Sequence, residues 1–284
     1  MGEETERDAL QALRYSPPQV SLTNYITLLF AWTELKLGYD GWMPAVDAQV
    51  VIRIAGDAQL QTLDGKTIEL PPFALVGPLS TTVRMVASPG YRAIGAGLTP
   101  GGLRTLFRVP ASELVDRAID LGGFFGLAGL DQVVQQAGDL RAPHHGWKVI
   151  EDLLFDRLWQ VSPVNDERVL AVDRWLRSSL NPSVDRLAEI LDLSPRQTAR
   201  FTATSHGLSP KLLAIRRRAQ SAAEHFALAA PDERDLAYLG YSDQSHMIRD
   251  FRRFIGTTPA RFINAEDVAR HAFAGPKTVG ATLI

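Results

Sequence analysis

A repeat constrains this chain more than any other feature. Two segments, Val184 to Gly207 and Glu233 to Gly256, follow one plan. In each, a short helical stretch stops at a tight turn, and a serine then caps a second helix. The serines are Ser194, with Pro195 at the first helical position, and Ser242. A basic helix, Ser209 to Ala227, joins the two and carries Arg216, Arg217 and Arg218 in a row. Everything from Arg168 to this point reads as helix, so this part of the chain is an all-α unit built on paired helices.

The half that precedes it has a different texture. From about Val20 to Leu98, short β-branched and aromatic runs alternate with Gly and Pro. Gln61 to Leu70 places Asp64-Gly65 between two such runs, a strong hairpin signal. Close spacing of this kind predicts an antiparallel sandwich or barrel. After Thr99 the pattern turns helical, through PGGLRTLF, PASELVDRAI, LDQVVQQAG and a longer amphipathic stretch, His145 to Val161. Ser162 to Glu167, broken by Pro163 and Asn165, predicts a linker. The expected organisation is α+β with two domains. Residues 1–163 form a β-rich regulatory unit with trailing helices, 164–264 a helical unit, and 265–284 a tail.

Charge separates the halves too. Pro182–Asn264 carries 12 Lys/Arg against 9 Asp/Glu, and the rest of the chain 18 against 23. The basic helical unit suits a polyanionic partner. The chain contains no cysteine, which excludes disulfides, thiolate zinc sites and a cysteine nucleophile. The acidic start does not read as a signal peptide, and no apolar run approaches the ~20 residues of a membrane span. The expectation is a cytoplasmic protein.

At about 100° per residue, Arg196, Ala199 and Arg200 share one face of the helix after Ser194, with Thr198, Phe201, Thr202 and Ser205 opposite. Phe201 is the only large apolar residue on that inner side, so the helix is expected to be loosely anchored. After Ser242, the residues Met247, Ile248, Phe251, Phe254 and Ile255 make an apolar face. Opposite lie Ser245, His246, Arg249, Arg252 and Arg253, with Gln244 at the tip. One amphipathic helix with an arginine face is ordinarily a solvated surface. Two of them, each behind a turn and a cap, fit a major groove, where small residues allow close approach and arginines reach guanine or phosphate.

LAEILDLSPRQTAR, GLSPKLLAIRRRAQSA and LAYLGYSDQSHMIRDFRRFIGTTPARF together resemble the double helix–turn–helix domain of the AraC/XylS transcription regulators. The resemblance implies two recognition helices reading successive major-groove faces of double-stranded promoter DNA. It implies base-reading roles for Arg196, Ala199 and Arg200 in the first motif and for Gln244, Ser245 and Arg249 in the second. Arg216, Arg217, Arg218, Arg252 and Arg253 are candidates for phosphate contacts. Thr202 departs from the family pattern, which has a large apolar residue there. Gly77 to Gly126 resembles, less sharply, the cupin-like regulatory domain that precedes one subgroup of these regulators. For the whole chain the resemblance implies a regulator with a small-molecule effector, possible pairing into a homodimer, and RNA polymerase as a partner if it activates.

Metal-dependent cupins hold their ion with histidines on barrel strands, but the first histidine here is His144, beyond the strands, so no metal or other cofactor is expected. A DNA-alkyl-repair enzyme can carry the same helical domain, but its methyl acceptor is a cysteine. No catalytic residues are assigned. Trp32, Trp42, Phe73, Arg53 and Arg84 are candidate pocket residues, the arginines because each interrupts an apolar strand. Leu153, Leu154, Leu158 and Val161 offer an apolar face for two-fold pairing. Two functions stay open at this point. One is a DNA-binding regulator; the other is an interaction protein of the same fold that acts on a partner regulator with little DNA binding of its own.

Overall fold

The expected hairpin forms where Asp64 and Gly65 turn the chain. Strands β5 (Ala58–Thr62) and β6 (Thr67–Glu69) pair with Gln61 opposite Thr67. Gly65 sits at φ +84°, the left-handed region that such a turn requires. In the computed structural model, which describes residues 3–125, 134–135, 143–162, 164, 166–228, 239–264 and 267–280, this hairpin belongs to one of two antiparallel sheets.

The other strands of the four-stranded sheet are β3 (Tyr39–Met43) and β8 (Val83–Ala87), in the order β3-β8-β5-β6. The six-stranded sheet runs β1-β2-β9-β4-β7-β10. It comprises β1 (Leu13–Ser16), β2 (Ile26–Leu35), β4 (Gln49–Ala55), β7 (Phe73–Val76), β9 (Tyr91–Leu98) and β10 (Ala118–Asp120). Along β2, Leu28, Phe30 and Trp32 face the interior between the sheets, while Leu29 and Ala31 face outward. The outward face is covered by two helices, α2 (Pro100–Phe107) and, further on, α5 (Pro143–Gln160), through Leu103, Leu106, Ile150 and Leu154. Both faces of the central strands are therefore buried, which is why FALV and LLFAW read as unbroken apolar runs.

Several expectations need correction. PASELVDRAI is only one helical turn, α3 (Ala111–Leu114). The chain then reverses at Asp116 (φ +53°), and Ala118–Asp120 pairs with β7 as an edge strand. The edge amides and carbonyls of β7 prevailed over a weak helical pattern. LDQVVQQAG lies almost wholly outside the described residues, as does the first helix of the second repeat. The α5 leucines do not form a free face: Leu154 is buried in its own domain, and Leu153 and Leu158 pack against the same core. The exposed apolar residues of α5 are Phe155 and Trp159. A helix α1 (Glu3–Ala12) precedes the sheets, and α4 (Gly122–Phe125) follows β10.

The helical half comprises α6 (Glu167–Ser178), α7 (Val184–Leu191), α8 (Pro195–His206), α9 (Pro210–Leu228), α10 (Gln244–Phe254), α11 (Pro259–Asn264) and α12 (Val268–Thr278). It does not stand apart from the sheets. Phe226, Phe251, Phe254, Phe262 and Phe273 belong to the same apolar cluster as Phe30, Trp32, Val51 and Met85. Full burial of each such ring stabilises by roughly 1.5–3 kcal/mol. The stretch read as a tail is mostly the ordered helix α12.

Candidate DNA interface

Helix α8 begins with a complete capping box. Gln197 N donates to Ser194 Oγ at 3.4 Å, and Gln197 Oε1 accepts from Ser194 N at 2.9 Å. Arg196 and Arg200 are exposed on one side and Ala199 is half-buried beside them. The opposite side is polar yet buried. Thr198 and Thr202 are both fully buried, with their hydroxyls donating back to the carbonyls of Ser194 at 3.1 Å and Ala199 at 3.2 Å. Their polar atoms are thereby satisfied, and the methyl groups pack. His206, also buried, places Nε2 at 3.2 Å from Asp173 on α6. Phe201 is half-buried against the core of the first motif. The helix is thus held by the buried Thr198 and Thr202 methyl groups and the His206–Asp173 contact as well as by Phe201, so the expected loose anchoring does not describe it.

The second motif is capped one residue later than expected. Asp243, not Ser242, is the N-cap of α10. Its carboxylate accepts from His246 N at 2.9 Å, and that backbone hydrogen bond, helped by the Ser242 hydroxyl, holds its pKa below the ordinary carboxylate value. The cap is therefore charged at neutral pH, at the helix end that favours negative charge. Gln244, Ser245, His246, Arg249, Arg252 and Arg253 are all exposed, and Met247, Phe251 and Phe254 are buried behind them. Arg249 Nε lies 3.4 Å from the Ser245 carbonyl, so its guanidinium lies along the exposed face. The six residues assigned to base reading thus lie on the outer sides of two capped helices, Ala199 being the one that is half covered.

The arginines of α9 do something else. Arg216 is 4 % exposed; it is ion-paired with Asp47 from the loop before β4 and lies 3.4 Å from the carbonyls of both Val46 and Leu79. Arg217 pairs with Glu224 at 3.1 Å. Arg218 donates to Asp250 on the inner side of α10 at 2.9 Å, and its guanidinium stacks 4.6 Å from the centroid of Tyr241, in the turn before α10. For Arg216 and Arg218 the candidate phosphate role gives way to pairing within the protein. Burial and carboxylate partners, Asp47 and Asp250 above all, turn Arg216 and Arg218 inward, where they fix the recognition helix to its support and the support to the barrel. No local signal in RRR announces this, because the partners lie far away in sequence. Arg252 and Arg253 remain exposed, with Arg253 lying 5.2 Å from the Phe254 ring.

The last carbonyls of α10 are not left to water. Arg253 O accepts from Thr82 N and Phe254 O accepts from Ala45 N, each at 2.8 Å. Gln220 Nε2 on α9 donates to Ala45 O at 2.9 Å. Gly256, at φ +91°, follows directly. A Cβ there would lie 2.6 Å from Trp42 Cβ and 2.7 Å from Thr82 Oγ1. Gly256→Ala should therefore cost at least about 1 kcal/mol from backbone strain alone, with the clash adding to it. Thermal unfolding reads this, and an unchanged midpoint would show that the barrel does not bear on α10 there.

Between the sheets lies a cavity of about 120 Å³, lined by Phe30, Trp32, Val51, Leu60, Met85 and Tyr91 among others. Of the five expected pocket residues, only Trp32 lines it. Phe73 points to the other face of the six-stranded sheet, under α2 and α5. Arg53 sits beyond the cavity, at a bulge in β4, ion-paired with Asp57. Arg84 and Trp42 are cross-strand partners away from the cavity. Arg84 pairs with Asp40, and Trp42 borders the crevice beside Gly256. His144 and His145 are exposed, and no group of three or more metal-ligating side chains occurs among the described residues.

Against known proteins, residues 187–265 match the family described as a helix-turn-helix domain. No curated relative matches the sequence. Among solved structures the chain is similar to an apo variant of ToxT from Vibrio cholerae strain SCE256, with 13% identity over 87% of this chain and 98% of that one and a TM-score of 0.49. It is also similar to a 1.65 Å structure of ToxT from Vibrio cholerae, at 10% identity over 85% and 98% of the two chains with a TM-score of 0.48. An unsaturated-fatty-acid-bound ToxT gives 11% identity over 83% and 93%, with a TM-score of 0.47. No helix among the described residues is long and apolar enough to cross a membrane. With two capped helices in the matched residues, the C-terminal part of this chain carries a helix–turn–helix domain.

Proposed function

We propose that the chain is a sequence-specific transcription regulator that reads an operator with α8 and α10 and carries its sensor in the β-rich half. The observation that carries this reading is the pairing of two capped helices. Each exposes arginines (Arg196 and Arg200, Arg249) on one side and buries the other. Arg249, in the second turn of α10, is assigned to a base edge. Ser245 and Gln244 lie toward the helix tip, and Arg252 and Arg253 lie where backbone phosphates pass. The cavity between the sheets is assigned to the effector, which would act by shifting how the halves pack.

Arg249→Ala is expected to weaken operator binding by about 1–3 kcal/mol and to relax preference at one base pair, with random-sequence binding nearly unchanged. Competition binding at fixed salt measures both. Equal loss on operator and random DNA would reassign Arg249 to phosphate. Failure of the unsubstituted chain to bind the DNA upstream of its own gene, with no salt-dependent binding to any duplex, would favour the interaction-protein reading instead.

A further inference from the structure

The helix beyond the matched domain, α12, touches both the cavity and the DNA-reading half. Ala272 is a wall of the cavity. Around it, α12 is seated on the barrel at three points. His271 Nε2 lies 3.3 Å from the Leu13 carbonyl, which only accepts, so this nitrogen carries the proton. The His271 ring lies 5.6 Å from that of Tyr15, and Gly275 packs so closely on Tyr15 that a Cβ would come within 2.6 Å of its ring. At the start of α12, Val268 N donates to Glu6 Oε1 of α1 at 2.6 Å. From its other side Phe273 begins a chain of rings. Phe273 lies 6.0 Å from Phe262 on α11, Phe262 lies 5.7 Å from Phe251 on α10, and Phe251 lies 5.8 Å from Phe226 on α9. All four are buried.

The cavity's chemistry narrows what it can hold. Its ionisable wall residues are Asp47, Tyr15 and Tyr91. Asp47 is committed to Arg216, and burial pushes both tyrosines above their ordinary pKa, so their hydroxyls are neutral. No cation lines it among the described residues, and apart from the uncharged polar side chains of Thr27 and Gln49 the remaining wall is mainly aliphatic and aromatic. A charged ligand would be buried without a counter-ion. An apolar cavity of about 150 Å³ accepts benzene, so the space here suits a molecule of that order.

Resting on the regulator reading above, we propose that the cavity binds a small uncharged apolar molecule and that α12 is the wall that reports its presence. Occupancy pushes or holds Ala272, and the ring chain from Phe273 carries the displacement to the back of the second recognition helix. The rings are close-packed and the core around them resists compression, so a shift at one end reaches the other.

Benzene serves as the probe, with the full chain. Three measurements are made: benzene binding by thermal stabilisation, amide exchange of α10, and affinity for the DNA upstream of its own gene. The expected results are saturable stabilisation, altered exchange in α10, and at least a fivefold change in DNA affinity. Ala272→Phe, which puts a ring into the cavity, should abolish benzene binding and shift α10 exchange in the same direction without benzene. Phe273→Leu interrupts the rings and leaves the cavity walls intact. It should keep benzene binding and lose the response of α10, which keeps the test decisive if Ala272→Phe fails to fold. Absence of saturable benzene binding overturns the ligand class. Binding with unchanged exchange in α10 overturns the role of α12. A response in exchange, with no DNA bound in any state, leaves this inference standing and overturns the regulator reading instead.

Discussion

Asp250→Ala is expected to destabilise the chain by about 3–5 kcal/mol, the range for removing one partner of a buried ion pair and leaving the other unpaired. Asp250 and Arg218 side chains are each 11% exposed, so solvent does little to screen the loss. The variant strands a guanidinium between α9, the turn before α10 and α10 itself. Replacing both residues with apolar ones, Arg218→Met with Asp250→Leu, should recover most of the loss, since neither charge is then buried alone. Urea unfolding of the two singles and the double measures the coupling. Affinity for operator should fall more than affinity for random DNA in the single variants, because a tilted α10 loses its base contacts before its phosphate contacts. Additive losses in the double variant, with specificity intact, would reduce the pair to a surface ornament.

Arg216→Met should be comparably severe, about 3–5 kcal/mol by the same argument, but with a different signature. It leaves Asp47, whose side chain is 17% exposed, without its cation, and takes a donor from the carbonyls of Val46 and Leu79. These groups belong to the barrel, whereas Arg216 belongs to α9. Loss of the contact should therefore uncouple the halves, and a single thermal transition should separate into two. One unbroken transition at the original midpoint would mean that the shared apolar cluster and the hydrogen bonds to Ala45 and Thr82 join the domains without this ion pair.

Where burial follows the chain's own period, the sequence was readable. The hairpin at Asp64-Gly65 and the apolar face of α10 follow from local pattern, as does the serine cap at Ser194. The resemblance carried by GYSDQSHMIRDFRRF then pointed to the exposed face of α10 that is proposed to read DNA. What stayed hidden depends on partners remote in sequence. Arg216 sits in a run of three arginines that reads as a solvated stripe, and only the fold brings Asp47 to it. Thr202 reads as a poor anchor because periodicity does not show a hydroxyl folding back on its own helix. Phe73 was expected in the pocket since an aromatic on a strand reveals that it is buried but not on which face. Ala118–Asp120 became a strand because β7 had an edge to satisfy, and α12 was taken for a tail because short helices of mixed character carry little periodic signal.

The two hydrogen bonds from barrel amides to the carbonyls of Arg253 and Phe254 bear on modularity. A domain whose recognition helix ends on its own solvent or its own loop can be moved between sensors like a cassette. Here the final turn of α10 is completed by backbone from Ala45 and Thr82, through groups present in every non-proline residue but placed by this barrel alone. A chimera that joined these helices to another sensor would have to reproduce two amide positions as well as any side-chain contact. Inheritance of the two halves as a unit is then a matter of backbone geometry, and tolerance of sequence change along that seam can be high while tolerance of recombination across it is low.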